Sequence, residues 1–197
     1  MTANPLSNDK AELRSRLLDR RRALTPAQRE AAAGALAGHA GELAGPGATV
    51  AAYVSIGAEP GTGPLLDALL ARGVRVLLPV LLPDNDLDWA RHTGRAELAP
   101  AARGLLEPTG PRLGPAAVCS AALVLLPGLA VDRRGIRLGR GGGSYDRVLA
   151  RLAAAGAEPE LATLLYDHEL LAEVPAEPHD LPVRAVVTPS GVVRFGG

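Results

Sequence analysis

The chain is short of several things at once. Its 197 residues include one cysteine, one methionine, one lysine and five aromatic side chains, and its 21 basic residues cancel its 21 acidic ones. Each scarcity excludes something. A lone Cys119 cannot close an internal disulfide and points to a reducing compartment. Its place beside small residues suits a packed thiol better than a nucleophile. A net charge of zero offers no overall field to nucleic acid or to an anionic membrane. No apolar run approaches the roughly 20 residues that a bilayer span requires. The opening MTANPLSNDK has no apolar stretch of the signal-peptide kind. A cytoplasmic monomer is expected, with no nucleic acid and no membrane among its partners.

What is present is an ordinary globular composition, 47% hydrophobic and 21% charged, expected to form a single domain over 1–197. One oddity stands out. The single lysine is Lys10, and the other 20 basic residues are arginines. In a sequence this rich in alanine, glycine, proline and arginine, an exchangeable lysine drifts to arginine. Lys10 is therefore either a chance survivor or a place where a compact ammonium does what a planar guanidinium does not.

Helix and strand signals alternate along the chain. Residues 9–23 predict a helix, with leucines at 13 and 17 on one side and arginines on the other. TPAQ follows, with Thr25 as N-cap, Pro26 at the first helical position and Gln28 closing a capping box, and the second helix is expected to run to Leu43. Thr62 or Gly63 caps a third helix that Gly73 stops, and a fourth is expected over 143–155. Between them, 48–55, 74–80, 87–92, 122–127, 160–167 and 184–189 predict strands. Apolar strands separated by helices predict an α/β fold: a three-layer sandwich whose mostly parallel sheet carries helices on both faces.

One stretch does not fit a plain connector. GIRLGRGGGSYDRVLARL, from Gly135 to Leu152, crowds glycines and arginines just before a helix. A slack linker would be polar throughout and would separate domains. This one holds Leu138 and leads straight into Val148, Leu149 and Leu152. Gly139, Gly141, Gly142 and Gly143 run into a helix N-terminus, where unpaired N–H groups and the helix dipole favour an anion. Arg137 and Arg140 add positive charge. The spacing is neither a P-loop nor a dinucleotide fingerprint, so the glycines alone are compatible with turn chemistry as well as with a phosphate. Asp146, one turn into the helix, is either a dipole partner or a ligand for Mg²⁺ carried with phosphate oxygens.

LLPGLAVDRRGIRLGRGGGSYDRVL resembles the signature of the 5-formyltetrahydrofolate cyclo-ligase family, also called 5,10-methenyltetrahydrofolate synthetases. KAELR at 10–14 with RRRALTPAQR, YVSIGAEPGT at 53–62, GLLEP at 104–108 and HDLPVRAVVTP at 179–189 extend the resemblance over nearly the whole chain. It implies ATP- and Mg²⁺-dependent conversion of 5-formyltetrahydrofolate to 5,10-methenyltetrahydrofolate, with ADP and phosphate released. It further implies that Lys10 and Arg14 clamp ATP phosphates. Arg137, Leu138, Gly139, Arg140, Gly141, Gly142, Gly143, Ser144 and Tyr145 then cradle the triphosphate, with Lys10, Arg137 and Arg140 catalytic. Asp146 and Asp180 hold Mg²⁺, Glu59 bonds the pterin, and Val54, Trp89 and Tyr145 line the folate.

Three positions depart from the family's pattern. Val131 stands for a phenylalanine, Val80 for a basic residue, and Ser144 for a tyrosine. Three other readings remain open at this point. A small-molecule kinase, or a silent relative that only binds nucleotide or folate, shares the glycine loop. Nucleic-acid binding through GRGGGS would want repeated Arg-Gly units and interleaved aromatics.

Overall fold

The computed structural model describes residues 5–177 and 181–196. Helix α1 (Pro5–Ala23) leads into α2 (Pro26–Gly38), whose start carries the capping box in full. The Gln28 N–H donates to Thr25 Oγ1 at 3.2 Å, and the Thr25 N–H donates to Gln28 Oε1 at 2.9 Å. The second helix does not run unbroken to residue 43. It ends at Gly38, and a single turn, α3 (Ala40–Leu43), follows across His39.

The strands expected from apolar runs form, with shorter ladders. Strand β1 (Thr49–Ala51) pairs only as far as Ala51, and α4 (Gly63–Ala71) and β2 (Arg75–Leu81) follow. Strand β3 (Leu87–His92) folds back on β2, and β4 (Leu98–Pro100) and β5 (Leu106–Pro108) make a small hairpin that packs on both. Then come β6 (Leu123–Pro127), β7 (Ala130–Asp132), β8 (Arg137–Leu138), α5 (Ser144–Ala154), β9 (Glu160–Leu164), β10 (Leu170–Leu171), β11 (Ala185–Thr188) and β12 (Gly191–Arg194).

Among the described residues the main sheet has seven strands in the order β12-β11-β9-β6-β1-β2-β3. The five inner strands are parallel, and each edge strand is antiparallel to its neighbour. Both faces are buried, which explains the continuous apolar runs. Val50, Val76, Leu78, Leu125 and Val187 face a core closed by Leu36 of α2 and by Leu65, Leu66 and Leu69 of α4. Ala51, Leu77, Val124, Leu126 and Val186 face the opposite core, closed by Val148, Leu149 and Leu152 of α5. Neighbouring residues on one strand thus serve different layers, and the three-layer α/β sandwich is the observed fold.

Helix α4 crosses from β1 to β2 over one face, while α5 crosses from β6 to β9 over the other. Adjacent strands β1 and β6 therefore send their chains to opposite sides. Such a switch point opens a crevice beyond the carboxyl ends of the strands. Helix α1 packs across this end through Leu13 and Leu17, against Leu129, Ala130, Leu138 and Val174. Among the described residues no helix is long and apolar enough to cross a membrane.

Candidate active site

The crevice is a cleft of about 500 Å³. Chain segments distant in sequence meet there, and each is held by local chemistry.

The loop after β1 carries Val54 and Glu59. Ser55 and Thr62 close it reciprocally: the Ser55 N–H donates to Thr62 Oγ1 at 2.9 Å, and the Thr62 N–H donates to Ser55 Oγ at 3.1 Å. Thr62 stands at the cap position of α4 but spends its hydroxyl here. Glu59 Oε2 accepts the Ile56 N–H at 2.9 Å, which aims the carboxylate inward; its side chain is 9% exposed.

Asp132 shapes the hairpin that delivers Arg137. Fully buried, it accepts the N–H groups of Arg134, Ile136 and Val174 and the guanidinium of Arg134. Burial alone would raise its pKa, but these bonds outweigh it and hold the carboxyl below the usual range. Arg137 follows, with its Nη1 donating to the Pro127 carbonyl at 3.0 Å and its Nη2 3.5 Å from Asp146 Oδ1.

The glycine loop then turns into α5. Gly141 and Gly143 sit at φ +87° and +76°, in the left-handed region that any other residue adopts at a cost. Gly143 is the N-cap, and among the described residues no side chain bonds the first N–H groups of α5. Those groups and the dipole are left facing the cleft, as an anion site requires. From the other side, Arg14 Nε donates to the Gly139 carbonyl at 2.9 Å across 125 positions of sequence. Lys10, one turn earlier on α1, is largely buried and pairs with Glu177 at 2.7 Å. Arg140 pairs with Glu59 at 3.2 Å.

The opposite wall is apolar. Ile56, Pro79, Leu81, Leu87, Leu105 and Leu106 line it, and Glu107 is fixed there by accepting the Leu81 N–H at 2.9 Å. Tyr53 and Tyr145 stand near Glu59. Burial, reinforced by that carboxylate, raises both phenols above their ordinary range, so they stay neutral. The cleft thus joins a cationic, N–H-rich half to an apolar half with two inward carboxylates. It suits a polyanion beside a flat, hydrogen-bonding ring.

Of the residues singled out from sequence, Lys10, Arg14, Val54, Glu59 and the run Arg137–Asp146 all line this cleft. Trp89 does not. Its ring is fully buried in the core beneath α5, because β3 turns that face inward. Asp180 lies outside the described residues. Val80 and Val131 are buried, Val131 in the same core as Trp89. Tyr53, Glu107, Glu177, Arg103 and the leucine wall were not assigned from sequence, although Tyr53 and Glu107 stand inside the quoted segments YVSIGAEPGT and GLLEP.

Known proteins share this sequence pattern and this fold. The model of the 5-formyltetrahydrofolate cyclo-ligase family matches residues 6–189. A 5-formyltetrahydrofolate cyclo-ligase of Mycolicibacterium smegmatis is 45% identical over 192 residues, covering 94% of this chain and 97% of that protein. One of Escherichia coli strain K12 is 34% identical over 146 residues, 73% of this chain and 79% of the other. The NMR structure of the 5,10-methenyltetrahydrofolate synthetase of Aquifex aeolicus superposes with a TM-score of 0.78 at 28% identity, over 95% of this chain and 93% of that one.

Proposed function

The chain belongs to the 5-formyltetrahydrofolate cyclo-ligase family, and on that premise we propose that it uses ATP to close 5-formyltetrahydrofolate into 5,10-methenyltetrahydrofolate, releasing ADP and phosphate. One observation carries the proposal. A single cleft joins Lys10, Arg14, Arg137, Arg140 and the uncapped start of α5 to an apolar wall with Glu59 turned inward.

The chemistry needs both halves. The N5-formyl group is an amide, and its oxygen is a poor leaving group until it carries phosphate. The formyl oxygen attacks the γ-phosphorus, and the bond to the ADP oxygen breaks. N10 then adds to the activated carbon, the carbon–oxygen bond breaks, and phosphate departs as N10 loses its proton. No side chain forms a covalent bond, so the protein's work is positioning and charge stabilisation.

Lys10 and Arg14, one helical turn apart, would hold ATP phosphates from α1. Arg137, Arg140 and the N–H groups of the glycine loop, with Leu138, Ser144 and Tyr145 beside them, would hold them from below. Lys10, Arg137 and Arg140 would meet the charge that develops at the γ-phosphoryl. Glu59 uses two of its four acceptor positions on Ile56 and Arg140, leaving two for the adjacent donors of a pterin. Val54 and Tyr145 would wall the ring.

The residues also fit Mg²⁺ carried by the nucleotide. The Asp146 side chain is 75% exposed and only loosely held by Arg137. Among the described residues no group of three ligating side chains exists. One or two carboxylates completed by phosphate oxygens and water are how this cation is ordinarily bound. Asp146, with Asp180 as second acid, would hold it, and its chemistry is to offset phosphate charge.

The test is the methenyl chromophore, followed by absorbance. It should form from 5-formyltetrahydrofolate with Mg-ATP and not without ATP. Nucleotide binding with no chromophore would leave a silent relative or a different phosphotransferase.

A further inference from the structure

Among the described residues five cationic side chains line the cleft, and four of them have protein partners. Lys10 is paired to Glu177, Arg14 to the Gly139 carbonyl, Arg137 to the Pro127 carbonyl and Arg140 to Glu59. Arg103 alone makes no hydrogen bond or ion pair with any described residue.

Arg103 also stands apart by position. The others belong to α1, β8 and the glycine loop, the half suited to phosphates. Arg103 lies in the turn between β4 and β5, beside Leu105 and Leu106 of the apolar wall, and is exposed. Leu106 is itself 42% exposed, which places this part of the wall near solvent.

Its backbone is unusual as well. Arg103 has φ 59° and ψ 23°, inside the left-handed region. Among the described residues the other non-glycine residue there is Asn85, whose side chain suits that conformation, whereas an arginine adopts it only at a cost. A glycine at 103 would take the turn freely, as Gly104 does at φ 73°. Strain of this kind at a ligand cleft is a pointer to function.

We propose that Arg103 is a specificity residue that binds the carboxylates of the substrate's glutamate tail; the proposal rests on the folate-cyclising function above. A folate is a flat pterin, an aminobenzoyl ring and a glutamate, and each further γ-linked glutamate adds one negative charge. With the formyl group turned to the phosphates, the tail is the end farthest from them. The leucine wall suits the benzoyl ring, and the unpaired guanidinium at its rim meets the anion beyond it. An arginine whose donors are uncommitted can bind a carboxylate in a fork without first giving up a partner.

Direct binding without ATP tests this. The ligands are 5-formyltetrahydropteroate, which lacks glutamate, and the mono- and triglutamyl forms of 5-formyltetrahydrofolate, titrated calorimetrically into wild type, Arg103→Ala and Arg103→Gly. Wild-type affinity should rise along that series. Both variants should bind the monoglutamate about twofold to fivefold more weakly, as an exposed charge pair warrants. They should lose more on the triglutamate, leave the pteroate unchanged, and keep KM for ATP. The losses should shrink at high salt. Arg103→Gly should unfold no earlier than wild type while showing the same loss, which separates recognition from folding. Equal losses on all three ligands, unchanged folate affinity, or a shift confined to ATP would overturn the role of Arg103. Wild type that binds no folate would overturn the function beneath it.

Discussion

At the start of α1, Lys10 and Arg14 reach into the cleft; two turns after Arg14, Arg21 is sealed in the protein. The two regions use the same kind of charge to opposite ends. Arg21 is 1% exposed and bonded at three points: Nε to Glu169 Oε1 at 2.6 Å, and Nη2 to Glu169 Oε2 at 2.8 Å and to the Gly128 carbonyl at 2.6 Å. Burial works against the guanidinium charge, but the bonds to Glu169 and its field outweigh it, and the pKa is raised further. Buried and held by three protein oxygens, its head is out of a ligand's reach. At the open end Arg14 has one bond from Nε, and Lys10 and Arg140 each pair with a carboxylate of the cleft. A phosphate can replace a carboxylate there. What separates structural cations from functional ones is how completely the fold satisfies them.

The buried end also supports the open one. Gly128 adjoins Pro127, whose carbonyl holds Arg137. Arg21 lies 5.8 Å from the centre of the Tyr166 ring, and Tyr166 donates its hydroxyl to the carbonyls of Ala58 and Glu59 at 3.3 Å. The largest expected effect is therefore on stability. Arg21→Met should leave Glu169 buried without a counter-charge and cost about 3–5 kcal/mol. That corresponds to a fall in Tm on the order of 10 °C for a domain of this size. Changing Glu169→Leu in the same protein should restore much of it. A single variant that melts like wild type would erase the distinction between the two ends.

Next in size is Asp146→Asn. The residue is exposed and paired only at 3.5 Å, so Tm should hardly move. If it holds Mg²⁺, loss of the charge should lower kcat/KM by roughly a hundredfold, or about 2.7 kcal/mol, and more Mg²⁺ should restore part of the rate. A variant that unfolds early, with its Mg²⁺ dependence intact, would move Asp146 into the structural class of Arg21.

The same comparison explains how far sequence reading reached. Local devices were legible: the capping box at Thr25, the apolar strands, the glycine turn into α5. Each depends on residues a few positions apart. The cleft was legible where one segment carried several of its parts, as at 137–146. Arg21 was not, because nothing in LDRRRAL distinguishes the arginine that meets Glu169 across 148 positions from its solvated neighbours. Trp89 was misplaced for the opposite reason. A strand residue alternates between faces, and only the pairing of β3 with β2 decided that its ring would point into the core. Strands β4, β7, β8 and β10 are two or three residues long, too short for a period to show.

Lys10→Arg should fall lower still, at about tenfold in kcat/KM under limiting ATP, or about 1.4 kcal/mol. Arginine keeps the charge but spreads it over a larger planar head, displaced from a site that fits an ammonium 2.7 Å from Glu177. Wild-type rates in the variant would mean that the chain's only lysine is an accident of composition, and the open end would tolerate either cation.

The smallest effect is a pH dependence seated at the buried end. His168 stacks on Tyr166 with ring centres 5.9 Å apart, and its Nε2 is 3.9 Å from Glu169 Oε1. Burial lowers its pKa below the ordinary 6.5; Arg20 and Arg21 push the same way, while Glu169 and Asp167 oppose them. Between the folded and unfolded values, the unfolded chain binds a proton that the folded chain does not. The stability contribution is therefore complete above about pH 6.5 and is lost as the pH falls through the lowered folded value. His92 acts in the same direction and the same range, since it is fully buried and its ring nitrogens have no hydrogen-bond partner among the described residues. Tm should decline as the pH is taken from 7.5 to 5.5. His168→Gln should remove part of that slope and His92→Leu another part, with the losses adding because the two rings lie in separate regions. KM for ATP at pH 7.5 should be the same in both variants and in wild type, because neither ring lines the cleft. A flat melting profile in wild type would exclude both histidines as the source. A KM that moves with His168 would show that the two ends of α1 are coupled.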